Sequence, residues 1–414
     1  MLGQRVRLSL PDGLVGQSYN PSVAKLPVSV LRQFHCAECH VVTIRFDWAN
    51  GCDSSKTLTE VYASTSRGRL GHRKGTLVMV VNSSQRYRWE PISWGWLKLG
   101  GTSSEPLVAQ AHKIDTPEAM RGSASLVDVR LFLVAGELHA IGYDATRGWT
   151  GVIGHLHLHV NPAARRVPGR PAALNAWVTA SSQRTLDLGD KECLGRSQAF
   201  FDVSKKPSRQ PAQLAFLSWI APSVVVCGIP NGAVERGRVR DADYSAVARV
   251  MHRTTGLAAA AAALRGCQPA ASVDRAGRPK YQPGSRCRLS LNGVLLRLAE
   301  SDTLLGVGHL HRGFRASLFD RALSQRLAWG AHHYTHFFFE IAAHPPHNLL
   351  AVGPEFCLVD HGESPESCEV VQYVTGVSRA EPSDELVLAY GVNDCEPRIA
   401  KLSMRSVRRD LVPV

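Results

Sequence analysis

At 414 residues the chain is too long for one small domain and long enough to bury a large core, as two or three ordinary domains or as one repeat-built β domain. Hydrophobic residues at 44% and charged residues at 20% exclude a disordered or fibrous chain, and no run nears the about 18 apolar residues that cross a bilayer. The net charge of +13 comes mostly from scattered arginines, so it favours a small anion such as phosphate or a sugar phosphate over nucleic acid.

The first twenty residues lack the continuous apolar core of a secretory signal, although a targeting segment upstream of this sequence stays open. Strand-like runs then follow at 23–27, 39–46, 77–81, 127–133, 137–143 and 152–160. More lie at 214–220, 224–228, 303–309, 336–341, 349–352, 369–374, 386–390 and 398–402. Gly, Pro, Asn and Asp separate them. An Ala-rich stretch at 245–264 predicts a helix, and 403–411 a final helical turn. Strand, short turn and strand recur in about five blocks, near 17–85, 120–165, 175–235, 258–343 and 345–402, each too small to bury two faces alone. Basic, Pro/Gly-rich stretches at 163–171 and 273–288 read as loop insertions. The expectation is an all-β, closed architecture in a single domain over 1–414.

Cys36-Ala37-Glu38-Cys39-His40 matches a haem-attachment pattern and half of a zinc site, but no second Cys/His pair at ligand spacing follows, so no metal is expected there. Ten irregularly spaced cysteines do not make a disulfide scaffold, which points to a reducing, cytoplasmic setting. His155, His157 and His159 alternate along one strand face, and His332, His333 and His336 cluster later; a row of surface histidines explains the first group without zinc. No cofactor is expected.

Two segments put polar side chains beside strand-like runs: Tyr19-Asn20-Pro21-Ser22, and Val127-Asp128-Val129-Arg130-Leu131-Phe132 followed by Gly136-Glu137-Leu138. With Leu264-Arg265-Gly266 and Pro269, Gly306-Val307-Gly308-His309-Leu310-His311, Tyr334-Thr335-His336-Phe337-Phe338 and Tyr390-Gly391-Val392-Asn393-Asp394, they span most of the chain in one order. In that order the chain resembles the five-bladed β-propeller proteins related to the β-mannoside phosphorylases, glycoside hydrolase family 130, and their glycosyltransferase cousins. The resemblance implies a five-bladed β-propeller with a central axial sugar pocket. Val129 stands where the family usually has the proline of Asp-Pro-Arg, and Lys191-Glu192-Cys193-Leu194-Gly195-Arg196 departs from a lysine-asparagine-tryptophan segment in the third blade.

Glycosidic cleavage needs a proton donor for the leaving oxygen and a nucleophile on the opposite face of the sugar. In the resembling phosphorylases the aspartate of the second-blade motif is the general acid and phosphate is the nucleophile, which implies Asp128 as the catalytic residue. A phosphate calls for cations and directed donors. Arg265, His309, His311 and His336 are candidates for it, with Arg130 alongside and Tyr334 as a neutral donor, while Asn20, Arg130, Tyr334 and Asp394 are candidates for the sugar. Outside the blade context Asp128 reads as a strand cap or an ion pair with Arg130, and Asp394 equally as a turn residue.

Three functions fit. The first is an inverting glycoside phosphorylase or glycosyltransferase on β-mannoside-like linkages, partnered by a glycan acceptor and by inorganic phosphate or a sugar phosphate. The second is a hydrolase of the same fold, needing a further carboxylate such as Glu192, Glu355 or Asp360 about 6.5 to 9.5 Å from Asp128. The third is a propeller that binds glycans without catalysis.

Overall fold

The computed structural model describes residues 4–12, 14, 17–47, 74–99, 126–134, 136–144, 150–160, 171–178, 184–187, 193, 198–202, 212–220, 223–234, 245–247, 249–255, 272–273, 279–280, 287–298, 300–313, 332–359, 369, 371–380, 384–393 and 395–414. It is mostly β-strand. After β1 (Gln4–Leu8), a first antiparallel meander runs through β2 (Gln17–Lys25), β3 (Cys39–Asp47), β4 (Lys74–Asn82) and β5 (Arg88–Leu99). A second is β6 (Leu126–Val134), β7 (Glu137–Asp144) and β8 (Thr150–Val160), with β9 (Ala172–Val178) and β10 (Arg184–Asp187) both paired to β8. The third joins β11 (Ala199–Asp202), β12 (Ala212–Trp219) and β13 (Ser223–Val234); β14 (Ser245–Val247) leaves to pair with β10, and β15 (Arg249–Thr255) returns to β13.

A small hairpin, β16 (Ser272–Val273) with β17 (Pro279–Lys280), precedes the fourth meander of β18 (Cys287–Leu298), β19 (Thr303–Gly313), β20 (His332–Ala342) and β21 (Leu349–Val352). The fifth is β22 (Gln372–Ala380), β23 (Glu385–Val392) and β24 (Glu396–Ser403), and β1 completes it from the other end of the chain. The last strand, β25 (Val412–Pro413), pairs back onto β21.

Side-chain alternation explains why these sheets gather. In β4, Val78 and Val80 enter one apolar cluster while Leu77, Met79 and Val81 enter another, so both faces of the meander are buried. The same division repeats. Among the described residues, five clusters join meanders one and two, two and three, three and four, four and five, and five and one. The first strands touch in the same cyclic order, β2 to β6, β6 to β11, β11 to β18, β18 to β22 and β22 to β2. Burying each Leu, Val or Phe at these seams contributes about 1.5–3 kcal/mol, which no single meander obtains alone.

Hydroxyls stitch the first strands where they meet. Leu131 N–H donates to Ser22 Oγ at 3.0 Å, Thr43 Oγ1 donates to the Val129 carbonyl at 3.3 Å, and Thr375 Oγ1 donates to the Pro21 carbonyl. A Cβ on Gly376 would lie 2.5 Å from Val23 N, so only glycine lets β22 approach β2 this closely.

The stretch read as a helix from 245 is strand in β14 and β15 through Thr255; residues 256–264 lie outside the described residues. Pairing with β10 and β13 decides there, because tertiary partners outweigh weak helix propensity. The expected final turn is the helix α2 (Met404–Asp410), capped by Ser403 Oγ, which accepts from Ser406 N–H. A further helix, α1 (Val28–Phe34), was not expected: it has seven residues, begins after Pro27 and buries Phe34. Among the described residues no helix is long and apolar enough to cross a membrane.

The cysteines correct the sequence reading. Cys36 pairs with Cys39 and Cys193 with Cys227, while Cys357 and Cys395 are also disulfide-bonded, and no described cysteine is free. Such pairs persist in oxidising compartments, so cysteine spacing by itself does not argue for a reducing one. Spacing misled because Cys193 and Cys227, 34 positions apart, are brought together by the β11–β12–β13 meander.

Candidate functional site

The site begins at two backbone irregularities. The β2–β3 register shifts between Tyr19 and Ser22, and the β6–β7 register shifts between Val127 and Arg130. At these bulges Asn20 and Asp128 take left-handed backbone angles, φ 49° and 53°. A bulge re-aims the side chain it carries. Here both aim at each other: Asn20 Nδ2 donates to Asp128 Oδ1 at 3.0 Å. A Cβ on Gly391 would lie 3.0 Å from Asn20 N, so β23 presses on the first bulge from behind.

Arg45, on β3 opposite Tyr19, closes the group. Its Nη1 donates to both Asp128 oxygens, at 2.8 and 2.7 Å, and its guanidinium lies 4.9 Å from the centroid of the Tyr19 ring. The two side chains are 11% and 21% exposed, so the pair is mostly removed from water while Asp128 keeps an open side. Buried Arg130 donates from Nη1 to the Asp128 carbonyl at 3.2 Å, and its Nε has no acceptor among the described residues.

Burial works to raise the Asp128 pKa, but Arg45, Arg130 and the Asn20 hydrogen bond together outweigh it and hold the carboxyl below its ordinary value. The free site therefore carries an ionised Asp128 between two guanidiniums. That leaves one positive charge in excess.

From Arg130 the cluster continues across the ring. Its guanidinium sits 5.9 Å from the Tyr373 ring of β22, and Tyr373 meets His309 of β19 edge-on at 4.6 Å. Tyr334 of β20 lies 5.4 Å from His309 and stacks on His311 at 4.5 Å. Asn20, Asp128, Arg130, Tyr334, His309 and His311, separated by up to 314 positions, thus join one network through Arg45 and Tyr373.

Sequence reasoning missed Arg45 and Tyr373. A lone arginine inside the apolar run Val41-Val42-Thr43-Ile44-Arg45-Phe46 was the available signal, since a buried guanidinium needs a partner.

His336 sits differently. It is fully buried, faces His309 across the β19–β20 ladder, and its Nε2 accepts from Val374 N–H at 3.2 Å, so it ties β20 to β22. Glu355 accepts from Thr335 Oγ1, and strand alternation turns Thr335 to the face of β20 opposite Tyr334 and His336. Arg265, Asp394, Glu192 and Asp360 lie outside the described residues. Asn393, beside Asp394, has φ 52°, as a turn asparagine tolerates, and its Oδ1 accepts from Val371 N–H just before β22.

The metal-like motifs are occupied otherwise. His40 is buried, stacks on Trp89 at 4.9 Å and shares a 2.9 Å hydrogen bond with Ser83 Oγ; burial, then Lys25 and Lys401, push its pKa down to about 3. His139 and His155 stack at 5.3 Å, His155 and His157 lie 4.2 Å apart, and His157 and His159 stack on Trp177. No group of three ligand-type side chains among the described residues has metal-holding geometry.

No family model matches the chain, and no curated protein matches its sequence. Among solved structures it is similar to a mannose phosphorylase from Leishmania mexicana in complex with phosphate, at 8% identity over 100% of this chain and 91% of that one, with a TM-score of 0.42. It is also similar to a GDP-Man-dependent mannosyltransferase from Leishmania mexicana, at 10% identity over 96% and 88%, TM-score 0.41. A β-1,2-mannobiose phosphorylase from Listeria innocua, in complex with β-1,2-mannobiose, shares 10% identity over 97% and 94%, TM-score 0.44.

Proposed function

We propose that the chain is a carbohydrate-active enzyme built as a five-bladed β-propeller, with the five meanders as blades and the Asp128 cluster in an axial sugar pocket. Its reaction is inverting phosphorolysis or glycosyl transfer at a β-mannoside-like linkage, using phosphate or a sugar phosphate. One observation carries the reading: bulges in two first strands aim Asn20 and Asp128 into a group completed by Arg130 of β6 and by Arg45, Tyr373, His309 and Tyr334 from four further strands.

In this mechanism a phosphate oxygen attacks the anomeric carbon from the face opposite the leaving oxygen. The glycosidic C–O bond breaks, and the leaving oxygen takes a proton from Asp128. Asp128 is ionised in the free site, so it must gain that proton first. A phosphate held on the far face of the sugar brings its negative charge into the site, offsets part of the field of Arg45 and Arg130, and so raises the carboxyl pKa. Phosphate entry and protonation of Asp128 are then one coupled event. His309 and His311 donate to the phosphate on the far side with Tyr334 as a neutral donor, Asn20 orients the carboxyl, and Asp394 and Arg265 extend the sugar and phosphate contacts. His336 has a holding role rather than a phosphate contact.

The Arg45–Asp128 pair also favours a second reading, a propeller that binds glycans and does no chemistry, because a carboxylate tied to arginine is a poor acid. Three incubations of purified protein separate the readings: manno-oligosaccharide with phosphate, mannose 1-phosphate with an acceptor sugar, and manno-oligosaccharide alone. Product in the first two supports the proposal. Reducing sugar in the third points to hydrolysis, and saturable glycan binding without any product points to the binding protein.

A further inference from the structure

A second site lies at the seam where β1 closes the fifth meander. A cavity of about 870 Å³ opens there, lined by Arg5, Arg7, Leu10, Tyr87, Glu396 and Arg398 among others, and by none of the Asp128 cluster. The sequence makes it basic. In β1, Val6 and Leu8 turn into the core, which puts Arg5 and Arg7 together on the other face. Arg5 stands opposite Ala400; the β1–β24 ladder ends at Val6 and Ile399, and Arg7 and Arg398, the next residue on each strand, both line the cavity. On its other side Arg7 is in register with Arg88 of β5. Like charges facing one another across strands are destabilising unless something of opposite charge lies between them.

Arg398 is the anchor. Its side chain is 13% exposed and its Nη2 donates to Glu396 at 2.7 Å, yet its buried Nε and Nη1 have no acceptor among the described residues. Buried guanidinium donors without an acceptor are rare in folded proteins because their desolvation goes uncompensated. Arg7 and Arg398 set against the Glu396 carboxylate leave the cavity net positive. Tyr87 and Leu10 add an apolar wall, and the volume exceeds what one phosphate fills.

We infer that this cavity binds a small phosphorylated molecule, with the phosphate group taken by Arg398 and Arg7 and the organic part against Tyr87 and Leu10. The inference is independent of the Asp128 reading, since the two sites share no side chain.

Isothermal titration of the whole protein with inorganic pyrophosphate at low salt tests it. Wild type should bind saturably; Arg398→Gln should weaken binding about tenfold or more, as expected for loss of charge-assisted hydrogen bonds. Arg7→Gln, at an exposed position, should weaken it several-fold without affecting the fold, and decides the matter should Arg398→Gln melt early. His309→Gln, in the other site, should leave the affinity intact. Absence of saturable binding, or binding abolished by His309→Gln and indifferent to Arg398→Gln and Arg7→Gln, overturns the inference.

Discussion

The Asp128 cluster and the histidine row of β7 and β8 both crowd titratable groups together, and they do so by opposite means. The row is local: His155, His157 and His159 share a face because strands alternate, and His139 faces His155 in the ladder. Its members are alike, so burial first and then neighbouring imidazoles drive His139 down to about 3 and His157 to about 4, keeping them neutral. The cluster is global, assembled from bulges on β2 and β6 and from strands far along the chain. Its members are opposite in charge, so Asp128 is held ionised with a cation left over. Crowding by itself therefore produces inert rings, whereas closure of the sheets brings unlike groups together and leaves a charge in excess.

The largest effect that sharpens this contrast is Asp128→Asn. Turnover should fall about a hundred- to ten-thousand-fold, the usual worth of a positioned general acid, with the melting temperature little lowered. Activity unchanged by that substitution removes Asp128 from the chemistry.

Opening the Cys193–Cys227 disulfide, both of whose cysteines pack in the cluster between the second and third meanders, comes next. A loop of this length predicts a loss of about 2–4 kcal/mol, read by chemical denaturation of a Cys193→Ala/Cys227→Ala variant. Because the Asp128 cluster draws nothing from that seam, turnover per folded molecule should hold.

Arg45→Met removes the partner of a mostly buried carboxylate. With part of the pair exposed, the cost should be about 1–3 kcal/mol, and the Asp128 pKa should rise. A pH–rate profile whose alkaline limb, where the proton donor is lost, fails to move in that variant means that Arg45 does not control the carboxyl.

Acid tests the neutral rings. His40 and His139 have folded pKa values near 3, below the ordinary 6.5, so the unfolded chain binds more protons between those limits and stability falls as pH drops through them. From pH 6.5 to 5 each should cost up to about 2 kcal/mol, and His139→Phe should flatten its share of the slope. The smallest effect belongs to His159→Gln, on the exposed end of the row, which should change stability by less than about 0.5 kcal/mol and leave turnover alone.

Local features of the fold were legible. The segments at Tyr19-Asn20 and Val127-Asp128 stood out because each sets a polar side chain beside a strand-like run; the register shifts that aim those side chains were not legible. Strand identity was legible where apolar alternation was strong, as at 39–46, and lost where pairing decided it, as in β15. Arg45 and Tyr373 were missed because their roles arise from cross-strand register and from packing between first and last meanders, which one sequence does not display. Disulfide pairing escaped for the same reason, and α1 because seven residues carry too little periodicity to declare a helix.

The central claim is that Asp128 changes protonation with occupancy of its site. Carbon-13 NMR of protein labelled at aspartate carboxyls, recorded near neutral pH with and without phosphate and a β-mannoside, and assigned by Asp128→Asn, reads this directly. The account predicts an ionised carboxyl in the free protein that shifts toward the protonated form when both ligands are present. A carboxyl that stays ionised in the ternary complex, or is already protonated in the free protein, contradicts it.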